Sequence, residues 1–288
     1  MPPILETKNC SMKFNGLTAV KDFTCTLEPG HIYGLIGTNG AGKTTVINML
    51  SGVLRPTTGE ILFEGKRIGG MKPNRIARLG IVRTYQNLRL FNKMTVLENV
   101  IIGAQIEKPY SIATGILQLP KFGREEKRIR EKAMHELELM GIDSYADSIA
   151  GSLPYGLQRR LEIARILAAN PKLLLLDEPA AGMNPQESME LVEMIRRIQK
   201  EFGLTILLIE HDMKVIMKLC EYIYVMATGE VIATGAPEEI RNNPQVIAEF
   251  AQAGGLYEIA NAHRQPADRC TQQPVYGICR CGLRHPRR

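Results

Sequence analysis

Nine consecutive residues, Gly37-Thr38-Asn39-Gly40-Ala41-Gly42-Lys43-Thr44-Thr45, follow the order G-x-x-x-x-G-K-[ST], with an extra glycine at 40. That order suits a chain of phosphates. Glycines let a loop wrap an anion so that successive backbone N–H groups point inward. Lys43 brings a compact charge to the β- and γ-phosphates, and a helix starting at Thr44 aims its positive end at the same anion. The Thr44 hydroxyl is placed to ligate Mg²⁺. Glycines can also do no more than turn a strand into a helix. A strand expected before the loop and a helix after it favour the phosphate site.

Leu173-Leu174-Leu175-Leu176-Asp177-Glu178-Pro179 supplies the complement. A four-leucine strand is buried on both faces and delivers carboxylates to its C-terminal edge, where α/β proteins bind ligands. Asp177 is placed to hold the Mg²⁺ shell. Glu178, facing the other way, can reach an attacking water. In isolation the two acids could simply cap the next helix. Leu204 to Ile209, followed by Glu210-His211-Asp212, repeats the design. His211 could donate to a γ-phosphate or orient Glu178, although a lone histidine at a strand end is more often solvated or capping.

The elements that must position these groups can be read from periodicity. Residues 4 to 36 alternate apolar and polar around a turn at Pro29-Gly30 and end in a buried strand, His31 to Ile36. Thr44 to Leu50 predicts a helix, and residues 59 to 68 another β segment with a turn at Glu64-Gly65. From about 94 to 170 the pattern is helical and charged, notably Arg124 to Met140. Strands return at Lys172 to Leu176, Leu204 to Ile209 and Tyr222 to Ala227, with the helix Pro185 to Lys200 between the first two. Ala236-Pro237-Glu238-Glu239 opens a short helix. Alternating strands and helices predict a parallel α/β core, and the 94–170 block an inserted helical subdomain.

The 288 residues, 44% hydrophobic and 23% charged, can bury a sizeable core without disulfides. No apolar stretch approaches the eighteen or so residues of a membrane span. Met1 to Glu6 lacks the basic start and apolar stretch of a secretory signal. The net charge is +6, but six arginines against Glu258 and Asp268 place +4 of it after residue 255. The body is therefore nearly neutral, and no nucleic-acid partner is expected. Cys10, Cys25 and Cys220, scattered singly in apolar pattern, predict reduced, buried thiols.

Taken in this order, the motifs resemble the nucleotide-binding subunits of ABC transporters, over roughly residues 4 to 250. The carriers are the loop at 37–45, Gln86 in Arg83-Thr84-Tyr85-Gln86-Asn87, the segment Leu153-Pro154-Tyr155-Gly156-Leu157-Gln158-Arg159, the Asp177-Glu178 pair and His211. The resemblance implies a P-loop NTPase core with a mainly parallel sheet, an N-terminal antiparallel β subdomain and the helical insertion. It implies ATP and Mg²⁺ as ligands, with Gln86 touching Mg²⁺ or water and sensing the membrane partner. Phe14 corresponds to the aromatic that stacks on adenine, which needs only a flat π face, although a core phenylalanine is the alternative. Leu153, Pro154, Tyr155 and Gly156 open a helix whose N-terminus faces the γ-phosphate held by a second subunit.

The signature segment departs from the common Leu-Ser-Gly-Gly-Gln form: the usual serine is Pro154 and the usual glutamine Leu157. One hydroxyl donor is gone, leaving the Gly156 N–H and the helix dipole, so a competent but weaker half-site is expected. The following helix, Gln158 to Ala169, reads as an ordinary amphipathic face whose Arg159, Arg160 and Arg165 carry no catalytic work. Leu-Pro-Tyr-Gly-x-Gln-Arg-Arg-Leu-Glu-Ile-Ala-Arg looks like the subfamily serving branched-chain amino-acid importers. Asn184, where aspartate is commoner, and the segment Arg241 to Ile247 fit it too.

The resemblance thus implies an ATP-hydrolysing motor for amino-acid import. Its partners are a second ABC ATPase subunit, identical or related, two transmembrane permease subunits and, indirectly, a substrate-binding protein. The implied place is peripheral, on the cytoplasmic face of the inner membrane. A soluble ABC-type ATPase acting on nucleic acid or ribosomes is disfavoured by one nucleotide site and no sustained heptads. A kinase or GTPase leaves Gln86 and residues 153–159 without purpose. Residues 1–255 are expected to form the nucleotide-binding domain and 256–288 a flexible basic tail. Cys270, Cys279, Cys281 and His285 or His263 lack the spacing of a zinc site.

Overall fold

The computed structural model describes residues 2–84, 89–105 and 120–252. Leu5–Phe14 (β1) and Leu17–Leu27 (β2) pair as an antiparallel hairpin with Phe14 opposite Leu17. Between them Asn15 and Gly16 take φ of 44° and 91°, the conformation a two-residue hairpin turn demands. Past Pro29-Gly30 the chain enters Ile32–Gly37 (β3) and then Lys43–Leu50 (α1). Thr58–Phe63 (β4) pairs with β1 and turns at Glu64-Gly65 into Lys66–Arg67 (β5). These strands form an antiparallel sheet in the order β2-β1-β4-β5.

Pro73–Leu79 (α2) leads into the short strand Ile81–Arg83 (β6). Among the described residues three α-helices follow: Val96–Ala104 (α3), Pro120–Leu139 (α4) and Tyr155–Leu167 (α5). Thr95 and Glu98 cap α3 reciprocally, side chain to backbone in both directions. The chain then alternates: Leu173–Asp177 (β7), Pro185–Phe202 (α6), Thr205–Ile209 (β8), Met213–Leu219 (α7) and Tyr222–Ala227 (β9). Glu230–Gly235 (β10), Pro237–Arg241 (α8) and Pro244–Gln252 (α9) close the described chain. The second sheet runs β10-β9-β3-β8-β7-β6, parallel from β9 to β6 and antiparallel at β10. The parallel α/β core and a separate antiparallel sheet are thus as the sequence predicts.

The central sheet divides the core in two. Leu173 and Leu175 of β7, with Leu35, Leu207 and Met226, pack towards α1 and the antiparallel sheet. Leu174 and Leu176, with Ile36, Leu208 and Val225, pack towards α3, α4, α5 and α6. Strands buried on both faces read as unbroken apolar runs, each leucine side chain contributing about 2 kcal/mol. Cys10, Cys25 and Cys220 are free and buried, as expected; Cys270, Cys279 and Cys281 lie outside the described residues. Among the described residues no helix is long and apolar enough to cross a membrane.

Several helix boundaries shift from the periodic pattern, and two have a local cause. α5 begins at Tyr155, three residues before the expected Gln158, because Pro154 sits at its N-cap with φ −54° and ψ 149°. α6 continues to Phe202, where Gly203 at φ 60° stops it.

Candidate active site

The loop at the C-terminal end of β3 is shaped by close backbone approaches. A Cβ on Gly37 (φ 155°) would lie 2.2 Å from the Met226 carbonyl, and one on Gly42 (φ 99°) 2.7 Å from the Ala19 carbonyl. Only glycine fits either place. Gly42 is the N-cap of α1, whose first turn carries neither a side-chain cap nor an acidic residue. Its leading N–H groups, with the positive end of the helix, are therefore open to an anion. Asn39, Gly40 and Thr44 are exposed, Thr38 and Thr45 half-buried, and Ala41 buried. Lys43 is 8% exposed, and its ammonium donates to the carbonyls of Gly37 (2.7 Å) and Thr38 (2.9 Å). Burial pulls its pKa below the ordinary lysine value, while the nearby Glu178 and Asp177 carboxylates pull it back up.

Those carboxylates arrive together from the end of β7, which β8 separates from β3 in the sheet. Asp177 closes β7 opposite Ile209 of β8. Its Oδ2 accepts from Arg83 Nη2 at 2.7 Å, and its N–H donates to Thr84 Oγ1 at 3.0 Å. Arg83 also donates to Asn48 Oδ1 of α1 at 2.6 Å, so one guanidinium ties β6, β7 and the phosphate-loop helix together. Glu178 continues the ladder through its N–H to Ile209 O (2.9 Å), then takes φ 48°. For a non-glycine residue that left-handed conformation costs on the order of 1–2 kcal/mol. Its carboxylate is partly exposed and stands 3.9 Å from His211 Nδ1. Behind them Glu210, 1% exposed, accepts from the N–H groups of Ala180 (2.7 Å) and His211 (3.3 Å). Burial pushes the Glu210 carboxyl above the usual carboxylate range, against the Ala180 hydrogen bond.

The structure brings Lys43, Asp177, Glu178 and His211 to one edge of the parallel sheet. Among the described residues no three His, Cys, Asp or Glu side chains gather to hold a metal by themselves. The Thr44 hydroxyl and the Asp177 carboxylate are hard oxygen donors, the kind Mg²⁺ takes. Phe14, ending β1 beside the Asn15-Gly16 turn, is 40% exposed, which removes the core-phenylalanine alternative. Gln86 lies outside the described residues, as does the tail from 253 onward.

Leu153 is buried, while Pro154 and Tyr155 are exposed and Gly156 half-buried, at the uncapped start of α5. The Tyr155 hydroxyl donates to Ala181 O at 3.3 Å. The expectation that Arg159 lies on an ordinary amphipathic face is wrong. Arg159 is wholly buried and donates to Pro179 O (3.1 Å) and Glu178 O (2.9 Å), with Asp177 O at 3.5 Å. Its Nη1 is paired with Glu162, also buried, at 2.5 Å. The charge is satisfied inside the protein, so the periodicity that marks solvent faces could not reveal it. The i,i+3 spacing of Arg159 and Glu162 was the available signal. Arg83 and Glu210 were missed too, although Arg83 lies three residues before Gln86 and Glu210 directly before His211.

Residues 20–181, more than half of the chain, match the family model described as "ABC transporter". The chain belongs to that family. It is an ABC-type ATPase, an ATP hydrolase. Residues 230–248 match a second model, "Branched-chain amino acid ATP-binding cassette transporter". The ABC ATPase is 44% identical over 248 residues to the high-affinity branched-chain amino acid transport ATP-binding protein BraF of Pseudomonas aeruginosa, covering 86% of this chain and 97% of BraF. It is 45% identical, with the same coverage, to LivG of Escherichia coli K12. The lipopolysaccharide export ATP-binding protein LptB of Haemophilus influenzae is 34% identical over 84% of this chain and 95% of its own. Among solved structures, the ADP conformation of an ATP-binding cassette of an ABC transporter superposes with TM-score 0.76 and 31% identity, covering 87% of this chain and 99% of that one.

Proposed function

We propose that this ABC ATPase is the motor subunit of an importer for branched-chain or related amino acids. It closes with a second ATP-binding subunit, identical or related, around two ATP molecules and drives two transmembrane permease subunits fed by a substrate-binding protein. Its place is the cytoplasmic face of the inner membrane. The observation that carries the catalytic part is the meeting of Lys43, Asp177, Glu178 and His211 at the ends of adjacent strands. The amino-acid cargo is supported by the match at 230–248 and by the names of the 44–45% identical relatives.

In this proposal residues 1–255 form the nucleotide-binding domain, with a helical subdomain at about 94–170. Phe14 stacks on adenine, and Gly37 to Thr45 cradle the phosphates through backbone N–H groups and the Lys43 ammonium. Thr44, Asp177 and Gln86 hold Mg²⁺, which when bound neutralises charge on the phosphate oxygens. Glu178 takes the proton of the water that attacks the γ-phosphorus, and His211 steadies the γ-phosphate or Glu178 itself. Leu153, Pro154, Tyr155 and Gly156 present an N-terminal helix dipole to the partner's nucleotide.

The test is to purify the tagged chain from membranes and identify its companions by mass spectrometry. Then ATP hydrolysis is measured with and without a leucine-loaded binding protein. Two permeases and leucine-stimulated turnover are expected. Recovery with lipopolysaccharide-export components, or without any membrane subunit, contradicts the proposal.

A further inference from the structure

The β-ladder of the central sheet ends at Asp177 and Glu178, and beyond it the chain turns through the left-handed conformation at Glu178. The carbonyls along this turn lie in buried or half-buried backbone and require donors. Ala181 N–H supplies one to Glu178 O, at 3.2 Å. Among the described residues, further donors to the carbonyls of residues 177–179 come from another element, through the Arg159 guanidinium of α5. It reaches Glu178 O at 2.9 Å, Pro179 O at 3.1 Å and Asp177 O at 3.5 Å.

A planar fork that meets three successive carbonyls specifies the path of the backbone between them. Stability alone does not call for a charge here. A buried ion pair such as Arg159–Glu162 is commonly matched by apolar residues of equal volume. What an apolar residue cannot do is hold the peptides on either side of Glu178 in one orientation. Arg159 also sits within the first turns of α5, four residues after Tyr155, so it moves with the signature segment.

We propose that Arg159 is a positioning residue for Glu178. It clamps the carbonyls of residues 177–179 and so aims the Glu178 carboxylate. It also locks the start of α5 to that carboxylate within one subunit. A shift of α5 relative to β7 would then be felt at Glu178 before any nucleotide contact changes. The proposal rests on Glu178 as the water-activating group, and the test separates the two.

Four full-length chains are compared in the assembled complex: the unaltered protein, Glu178→Gln, Arg159→Gln/Glu162→Gln, and the combination of all three substitutions. Changing Arg159 and Glu162 together removes both members of the buried ion pair. Folding is followed by circular dichroism, nucleotide affinity by binding of a fluorescent ATP analogue, and chemistry by single-turnover hydrolysis. The Arg159→Gln/Glu162→Gln chain is expected to bind ATP within about threefold of the unaltered protein, yet hydrolyse it roughly 10- to 100-fold more slowly. Glu178→Gln should then cost less than about tenfold in that background, because the carboxylate is no longer aimed; contacts that act as a unit are non-additive. A purely structural role for Arg159 leaves the Glu178→Gln penalty at full size in both backgrounds, and that result overturns the proposal. If Glu178→Gln alone hydrolyses normally, the assignment of Glu178 fails instead. Should the paired substitution not fold, Arg159→Lys keeps the charge beside Glu162 but cannot span three carbonyls, and the same cycle with it decides the matter.

Discussion

Arg83 and Asp177 form a buried ion pair, Nη2 to Oδ2 at 2.7 Å, with both side chains less than a tenth exposed. One oxygen of the carboxylate proposed to hold Mg²⁺ is thus already engaged by a cation anchored to α1 through Asn48. The guanidinium fixes the direction of the carboxylate and weakens its pull on a second cation. These effects can be separated.

Arg83→Met strips the buried Asp177 carboxylate of its ion-pair partner, a change that costs about 3 kcal/mol. In denaturant unfolding with EDTA that loss should appear in full. Millimolar Mg²⁺ should recover part of it in the variant and do little for the unaltered protein. Equal losses with and without Mg²⁺ would show that Asp177 does not face a cation site.

Lys43→Ala removes an ammonium held in the loop by two carbonyls. Charge-assisted hydrogen bonds contribute about 1.5–3 kcal/mol each, so ATP affinity should fall at least tenfold, with hydrolysis falling alongside it. The fold should survive, since alanine keeps the first residue of α1 helical. Titration with a fluorescent ATP analogue reads the affinity, and an unchanged dissociation constant would remove the phosphate-site assignment.

Glu136 on α4 is 1% exposed, and its Oε2 has no hydrogen-bond partner among the described residues. Burial raises its pKa from 4.5 to about 7, with Lys132 and His135 opposing and Glu201 adding to the rise. The native state therefore keeps a proton that the unfolded chain releases near 4.5. Stability falls as pH rises through that window. Glu136→Gln should stabilise the protein at pH 8, by up to about 3 kcal/mol, and have little effect at pH 5. Thermal unfolding across pH 5 to 8 checks this; parallel curves for the two proteins would contradict it.

What was legible in the sequence is what lies close together along it. The glycine-lysine loop, the Asp177-Glu178 pair after four leucines and His211 after a β-run each announce themselves within a few residues, and the parallel sheet explains why they converge. Arg83 meets Asp177 across 94 positions, and Arg159 meets Glu178 across 19. Periodicity assigns faces, but it cannot name the partner a buried charge finds on another element. Phe14 was ambiguous for the opposite reason. An aromatic at a strand end suits a core as well as a ligand, and only the Asn15-Gly16 turn leaves it 40% exposed.

Glu178→Gln tests the central claim most directly, because it keeps the shape of the side chain and removes its charge. ATP and Mg²⁺ should still bind, since Lys43, Thr44 and Asp177 are untouched. Losing a general base should slow hydrolysis by roughly two to four orders of magnitude. One negative charge fewer beside the γ-phosphate should also let ATP hold two nucleotide-binding subunits together longer. Phosphate release is measured beside light scattering in ATP and Mg²⁺, and an ATP-dependent dimer with almost no turnover is the predicted result. Turnover at the unaltered rate would contradict the account and make His211 the next candidate for the base.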